Sequence, residues 1–374
     1  MITKTFDPSS MRPMEVAARV GRLQERLDDA DVDALLVTDL TNIRYLTGFT
    51  GSAALLVVAP NELTFVSDGR YGQQADSELS RAGVSASIEI HDVGQKDAVA
   101  AAIDRAGVSR LGLEADAVTW AAQRTYDAEW FPDIELVPTR GTVAAMRVVK
   151  DDGELDRIAA AAAIADAALE VVRPRLAERP TESEFGEELD STMRRLGAAD
   201  VSFETIVASG PNGARPHHRP SDRVISEGDL VVLDFGALVD GYHSDMTRTV
   251  QVGAASSTQR RMYDVVLEAQ AAGVARVKAG VAASEVDAAC RRVIADAGWE
   301  EAFLHSTGHG VGLDIHEEPR VARSSTATLA ERCVVTVEPG VYLPEHGGVR
   351  IEDTVIVTDD GCRPVTLTHK HVAV

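Results

Sequence analysis

Four carboxylates stand where buried strands should carry apolar side chains, and they constrain this chain more than any other feature. The segment Asp229-Leu-Val-Val-Leu-Asp-Phe-Gly236 reads as an apolar strand with Asp234 inside it. Asp245 follows in Tyr242-His-Ser-Asp-Met-Thr-Arg-Thr-Val250, and Asp240-Gly241 between them is a strong type I′ hairpin signal. With those two residues in the turn, position 234 pairs with 247. Asp245 then lies one diagonal step from Asp234 on the same face, roughly 5–8 Å away. A similar pair follows. Val334-Val-Thr-Val-Glu-Pro-Gly340 reads as a buried strand ending in a turn, and Val349-Arg-Ile-Glu-Asp-Thr-Val-Ile-Val357 as its partner. An antiparallel pairing centred near Glu345 sets Glu338 opposite Glu352.

Each acid alone has a plainer explanation, such as a backbone hydrogen bond or a basic partner. Together they raise an energetic problem. At an effective dielectric near 20, carboxylates about 5 Å apart repel by roughly 3 kcal/mol per pair. Six such pairs would cost about 20 kcal/mol, more than the ~5–15 kcal/mol net stability of a domain. Protonation relieves part of this, whereas two divalent cations match four negative charges. If the acids converge, metal binding is the better reading. His309, within His305-Ser-Thr-Gly-His-Gly-Val-Gly312, offers an imidazole among glycines that let backbone approach closely. Four carboxylates and one imidazole form an oxygen-rich set, suited to Mn²⁺, Co²⁺ or Zn²⁺ in a two-metal site rather than to a thiolate-bound structural zinc.

The rest of the chain supplies the frame. Its 374 residues allow two or three domains. Residues 16–27, 71–79 and 97–106 have helical patterning, and 34–38, 53–58, 63–66 and 86–91 read as strands. This alternation predicts an α/β layer with a mixed or parallel sheet. The character changes near Val148, which divides an N-terminal domain, 1–147, from a C-terminal one, 148–374. An Ala-rich helix is expected over 154–172, which Pro174 should end or kink, with further helices over 182–196, 258–279 and 283–297. Strands are expected over 333–338 and 349–357. The net charge of -22 repels nucleic acid and anionic membranes, and neither is expected as a partner. An N-terminus without a signal-like pattern, no membrane-length apolar run and three scattered cysteines predict a cytoplasmic protein.

Leu233-Asp-Phe-Gly236, Ser244-Asp-Met-Thr-Arg248, Gly308-His-Gly310, Glu338-Pro-Gly340 and Ile351-Glu-Asp353 resemble the ligand motifs of the pita-bread metallopeptidases, specifically the Xaa-Pro peptidases, prolidase and aminopeptidase P. Thr41-Asn-Ile-Arg-Tyr-Leu-Thr-Gly-Phe-Thr-Gly-Ser52 and Phe65-Val-Ser-Asp-Gly-Arg-Tyr71 resemble the N-terminal domain of the same family. The resemblance implies a creatinase/prolidase-type α/β domain followed by a pita-bread α+β catalytic domain. It also implies two metals, Mn²⁺ by preference and Co²⁺ or Zn²⁺ as alternatives. Asp234 would bind one ion, Asp245 and Glu352 would bridge both, and His309 and Glu338 would hold the other. His217 and His316 would contact substrate and stabilise the oxyanion, and Glu338 would accept the proton of the attacking water. His305 would line the proline pocket, and Arg350 would orient carboxylates through a bidentate contact as part of the substrate site. His218 and His243 are assigned structural or peripheral places. The implied activity is hydrolysis between an N-terminal residue and proline by a homodimer. A dipeptidase is favoured over an aminopeptidase P acting on longer peptides. Methionine aminopeptidases lack such an N-terminal domain, creatinase-like hydrolases lack the full ligand set, and non-catalytic relatives have lost ligands.

Overall fold

Short apolar strands between helices assemble the first part of the chain into one sheet. The strands are β1 (Ala34–Val37), β2 (Leu55–Ala59), β3 (Glu62–Ser67), β4 (Ser87–Ile90), β5 (Arg110–Glu114) and β6 (Glu135–Thr139), ordered β4-β3-β2-β1-β5-β6. The sheet is mixed: β1, β2 and β3 run antiparallel, while β4, β5 and β6 join in parallel. Helices α1 (Arg19–Gln24), α2 (Leu40–Thr47), α3 (Gly72–Arg81), α4 (Gln95–Arg105), α5 (Trp120–Thr125) and α6 (Ala144–Arg147) complete this unit, Met14–Arg147. The computed structural model describes residues 10–370 and 372–374.

The Thr41-Asn motif is helical, a point its sequence pattern did not reveal. Asp39 caps α2 by accepting from the Thr41 and Asn42 amides, and Gly48 ends it at φ +75°. Glu114, buried, accepts from the Thr38 and Asp39 amides and from Asn42 Nδ2. The motif thus bonds β1, α2 and β5 together.

The second unit joins Val148–Val374 to the segment ending at Pro13, where Arg12 binds Asp156 through its backbone and guanidinium. Its helices are α7 (Asp152–Val172), α8 (Glu182–Leu196), α9 (Ser257–Arg276) and α10 (Ala283–Asp296). Capping boxes start three of them, Asp151 with Glu154, Thr181 with Glu184 and Ser256 with Gln259. The alanines of α7 are mostly buried, and their small size admits close packing against α8 and the sheet. α7 ends at Val172, just ahead of Pro174.

The strands of this unit are β7 (Asp200–Val201), β8 (Ile206–Ser209), β9 (Leu230–Phe235), β10 (Ala237–Val239), β11 (Tyr242–His243) and β12 (Met246–Gln251), then β13 (Gly308–Gly310) and β14 (Glu317–Val321). After these come β15 (Val334–Val337), β16 (Gly340–Leu343), β17 (Gly347–Arg350), β18 (Asp353–Val357), β19 (Cys362–Pro364) and β20 (Val372–Ala373). They form sheets ordered β11-β10-β7, β20-β12-β9-β8, β14-β13-β15-β18-β19 and β16-β17. One apolar core lies beneath α7 and α8, and a second lies between α9, α10 and the strands from β15 onward. Among the described residues no helix is long and apolar enough to cross a membrane.

Candidate metal centre

The first pair of acids is set by the hairpin that the sequence predicts. Asp240 and Gly241 both take positive φ, +46° and +77°, as a type I′ turn requires, and Val239 pairs with Tyr242 across them. Thr247 lies opposite Asp234. At Gly236 the strands press together so closely that a Cβ would lie 1.9 Å from the Ser244 carbonyl oxygen. Asp245 follows this crossing, on the Asp234 face.

The second pair sits in a gap between two ladders. β15 pairs with β18, with Val337 opposite Asp353, and β16 pairs with β17, with Gly340 opposite Arg350. Both ladders keep one register, so Glu338 and Glu352 face each other, as the pairing centred near Glu345 requires. The uninterrupted strand expected over 349–357 is instead broken at residues 351–352. The reason is visible in the backbone: Glu338 N donates to Thr307 O (2.8 Å) and Glu352 N to Thr247 O (3.1 Å). This switch of partners brings Glu352 against β12 and Glu338 against the segment that leads into His309.

His309 comes from β13, flanked by glycines for steric reasons. A Cβ at Gly308 would meet Thr336 O at 2.0 Å, and one at Gly310 would meet Glu318 O at 2.3 Å. Nδ1 of His309 lies 3.0 Å from Gly310 O, which can only accept, so Nδ1 carries the proton and Nε2 presents a lone pair. That nitrogen is 3.4 Å from Asp245 Oδ2 and 3.5 Å from Glu338 Oε1. Asp245, His309 and Glu352 offer ligand atoms within 4.8 Å of one another.

Electrostatics describe a site short of positive charge. Burial and the neighbouring acids Glu352, Asp234 and Glu338 raise the Asp245 carboxyl well above its ordinary range. Burial, then Glu338 and Asp234, do the same to Glu352. Burial also pushes Glu338 up to about 8, and drives His309 down to about 4, with His316 and Arg320 adding to the shift. Asp234 Oδ1 and Glu352 Oε1 are buried and, among the described residues, have no hydrogen-bond partner. Unpartnered carboxylate oxygens facing an imidazole lone pair fit a cation-binding site.

Arg350 differs from expectation. Rather than gripping a carboxylate with two nitrogens, it meets Asp234 Oδ2 with Nη2 alone (2.6 Å). Its Nη1 donates to Tyr342 Oη (2.9 Å) and Pro216 O (3.2 Å), and Nε to Thr247 Oγ1 (3.1 Å). With its side chain 4 % exposed, Arg350 braces protein groups rather than facing an open cavity. Tyr342 and Thr247 are the residues sequence reasoning missed. Thr247 Oγ1 holds Glu352 Oε2 at 2.8 Å, and Tyr342 lies on β16, a strand not anticipated.

The remaining histidines fall into two groups. The rings of His316 and His309 meet edge to face at 4.4 Å between centroids. His305 Nδ1 donates to Ser306 O, so Nε2 accepts from Tyr342 Oη (2.8 Å). Burial takes His305 down to about 3, with Arg350 contributing. With Phe303, Leu304, Arg291 and Arg320 it lines a cavity of ≈ 580 Å³. His217 is exposed, and its charge is felt at both His305 and His316. By contrast, the ring of His218 bonds buried Glu182 (2.9 Å) and that of His243 bonds Ser202 Oγ (2.9 Å).

Known proteins share this arrangement of chain. The profile described as Metallopeptidase family M24 matches residues 156–359, and that of the Creatinase/Prolidase N-terminal domain matches 19–149. The sequence is 40 % identical to an uncharacterised peptidase of Bacillus subtilis, over 95 % of this chain and 99 % of that protein. It is 34 % identical to an Xaa-Pro dipeptidase of Pyrococcus horikoshii, over 95 % and 98 %. Among solved structures, the Xaa-Pro dipeptidase from Bacillus anthracis superposes with a TM-score of 0.92 at 40 % identity, covering 95 % of this chain and 99 % of that one. The X-Pro aminopeptidase from Thermotoga maritima superposes with a TM-score of 0.85 at 34 % identity, covering 94 % and 99 %.

Proposed function

Because the chain belongs to metallopeptidase family M24, with the creatinase/prolidase N-terminal domain ahead of it, we propose that it is an Xaa-Pro dipeptidase. It hydrolyses the bond between an N-terminal residue and proline. The observation that carries the chemistry is the cluster of Asp245, His309 and Glu352, with orphaned oxygens on Asp234 and Glu352. Asp234, Asp245, His309, Glu338 and Glu352 would together hold two divalent cations, since four carboxylates balance two doubly charged ions. The oxygen-rich donor set supports Mn²⁺, with Co²⁺ or Zn²⁺ as alternatives. When bound, such ions supply Lewis acidity, acidifying water and polarising a carbonyl.

The protein's own groups do the rest. Glu338, whose carboxyl burial raises to about 8 in the absence of cations and which nearby cations would return to its ionised form, is the base that takes the proton of water and returns it to the proline nitrogen. His217 and His316 donate to the developing oxyanion. Arg350 acts at one remove, fixing Asp234 and Tyr342, and through Tyr342 the ring of His305. Proline's tertiary amide has no N–H and a fixed φ, so recognition must address the ring. The cavity beside His305 would receive it. Arg320, which lines that cavity and whose charge reaches His309 and His316, would meet the free carboxylate of a dipeptide. This favours the dipeptidase over an enzyme for longer peptides. Family membership supports a homodimer working in the cytoplasm.

The test is release of proline from Xaa-Pro and cleavage of Xaa-Pro-Yaa-Zaa by chelator-treated protein, with and without added Mn²⁺, Co²⁺ or Zn²⁺. Metal-dependent release from dipeptides, with KM raised by Arg320→Ala, is expected. Turnover of only the longer peptides would identify an aminopeptidase P. Absence of metal-dependent cleavage of either would overturn the reading.

A further inference from the structure

Outside the metal centre, one carboxylate is committed to an unusual number of donors. Glu182, the first residue of α8, is fully buried. Its Oε1 accepts from Ser209 N (2.7 Å), Ser209 Oγ (2.6 Å) and Asn212 Nδ2 (3.1 Å). Its Oε2 accepts from His218 Nε2 (2.9 Å), Ser221 N (3.2 Å) and Ser221 Oγ (2.6 Å). A helix start requires none of these, because the α8 cap is supplied by Thr181 and Glu184. The donors belong to one stretch of chain, entered at Ser209 and left at Ser221. Glu182 therefore ties both ends of a loop and, through Asn212 and His218, its middle.

His217 lies in that loop, next to the ring that Glu182 holds. The other side of the loop is fixed to the metal centre. Pro216 O accepts from Arg350 Nη1 (3.2 Å), and a Cβ at Gly348 would strike Gly213 O at 1.9 Å, so the loop lies flat against β17. Arg223, paired with Asp229, adds a bond to Ser209 Oγ (2.5 Å). A buried charge is costly unless it is fully bonded, and this one is spent entirely on the loop. Glutamine could not replace it, because an amide nitrogen cannot accept from the donors that one of the two oxygens now serves.

We infer that Glu182 is a positioning residue for the hydrolysis: it sets the place of His217 at the substrate by clamping residues 209–221 from behind. The inference rests on the role given to His217 above. The test is a double-mutant cycle in the Mn²⁺-loaded full-length enzyme, using Glu182→Gln, His217→Ala and the double variant. Metal content, thermal midpoint, kcat and KM on an Xaa-Pro dipeptide are measured for each.

Misplacement by about an ångström lowers turnover roughly 10- to 100-fold, and this loss is expected for Glu182→Gln, mainly in kcat and with unchanged metal content. The double variant should be no slower than His217→Ala, because a group acting through His217 has nothing to position once the imidazole is gone. Glu182→Asp, which keeps the charge, should recover part of the loss. Additive losses in the double variant would refute the inference, and so would full activity in Glu182→Gln beside a slow His217→Ala, leaving the peptidase assignment intact. Full activity in His217→Ala would remove the role of His217 and this inference with it. Should Glu182→Gln not fold, Ser221→Ala takes its place in the cycle, with the same non-additivity expected.

Discussion

Stripped of divalent cations, the protein should lose stability as pH rises through neutrality, the reverse of what paired carboxylates produce. Glu338 shows why. Its folded-state pKa is about 8, against an ordinary value of 4.5. Between those values the folded protein keeps a proton that the unfolded chain has released. Stability from this group is complete below the unfolded value and declines by about 1.4 kcal/mol per pH unit until the folded value is reached. His305 and His309 pull the other way, since burial lowers both, to about 3 and about 4; their contribution weakens as pH falls below the ordinary histidine value of 6.5. The window from about pH 6.5 to 8 therefore isolates the carboxylates. Across it Glu338 alone accounts for about 2 kcal/mol, or ~4–8 °C of thermal midpoint in a domain of this size. Asp245 and Glu352, also raised, act with the same sign. Urea denaturation of chelator-treated protein at the two ends of the window measures the loss. Adding Mn²⁺ should abolish it, because cations bind better as protons leave. Level or rising stability of the cation-free protein across the window would refute the electrostatic account of the site.

Three further perturbations test parts of the same structure. Asp245→Asn removes a carboxylate from the cluster and should weaken metal affinity at least about 10- to 100-fold, the range for groups that merely orient a ligand; calorimetric titration with Mn²⁺ reads it. Gly310→Ala would drive a Cβ into Glu318 O, so about 3 kcal/mol of destabilisation is expected together with lost metal uptake, measured by denaturation and metal analysis. Lys150→Met deprives Glu317 of a cation 3.0 Å away in a pair that is almost wholly buried. It should cost roughly 3–5 kcal/mol in urea denaturation, partly recovered by adding Glu317→Gln.

Much of the site was legible because strand registers follow from local rules. Asp240-Gly241 dictates a two-residue turn, and that turn forces Thr247 opposite Asp234 without any knowledge of the fold. Glu338 and Glu352 were harder. Their shared register could be read from the apolar pattern, but not the switch of backbone partners to Thr307 and Thr247, because those bonds join strands far apart in sequence. Tyr342 escaped for a related reason: Glu-Pro-Gly reads as a turn, although Gly340 already begins β16. In the first unit, β5, β6 and α5 lay beyond the stretch where alternation was traced, and Asp39 before Thr41 was an unread helix cap. The forked Arg350 contact came from the family resemblance alone, and the structure departs from it because Tyr342 and Pro216 compete for the guanidinium nitrogens.

The single register shared by the β15–β18 and β16–β17 ladders makes the reach between two acids depend on a tip that touches neither. The chain reverses through Pro344, Glu345 and His346, and Gly347 at φ +91° closes the reversal. Lengthening that tip by one residue, with the slip absorbed along the strands, would turn either Glu338 or Glu352 to the opposite side of its strand. Natural variation in the length of this tip should thus be confined to changes taken up as an outward bulge, and grafted sequences there should be chosen by how they turn before what they contain.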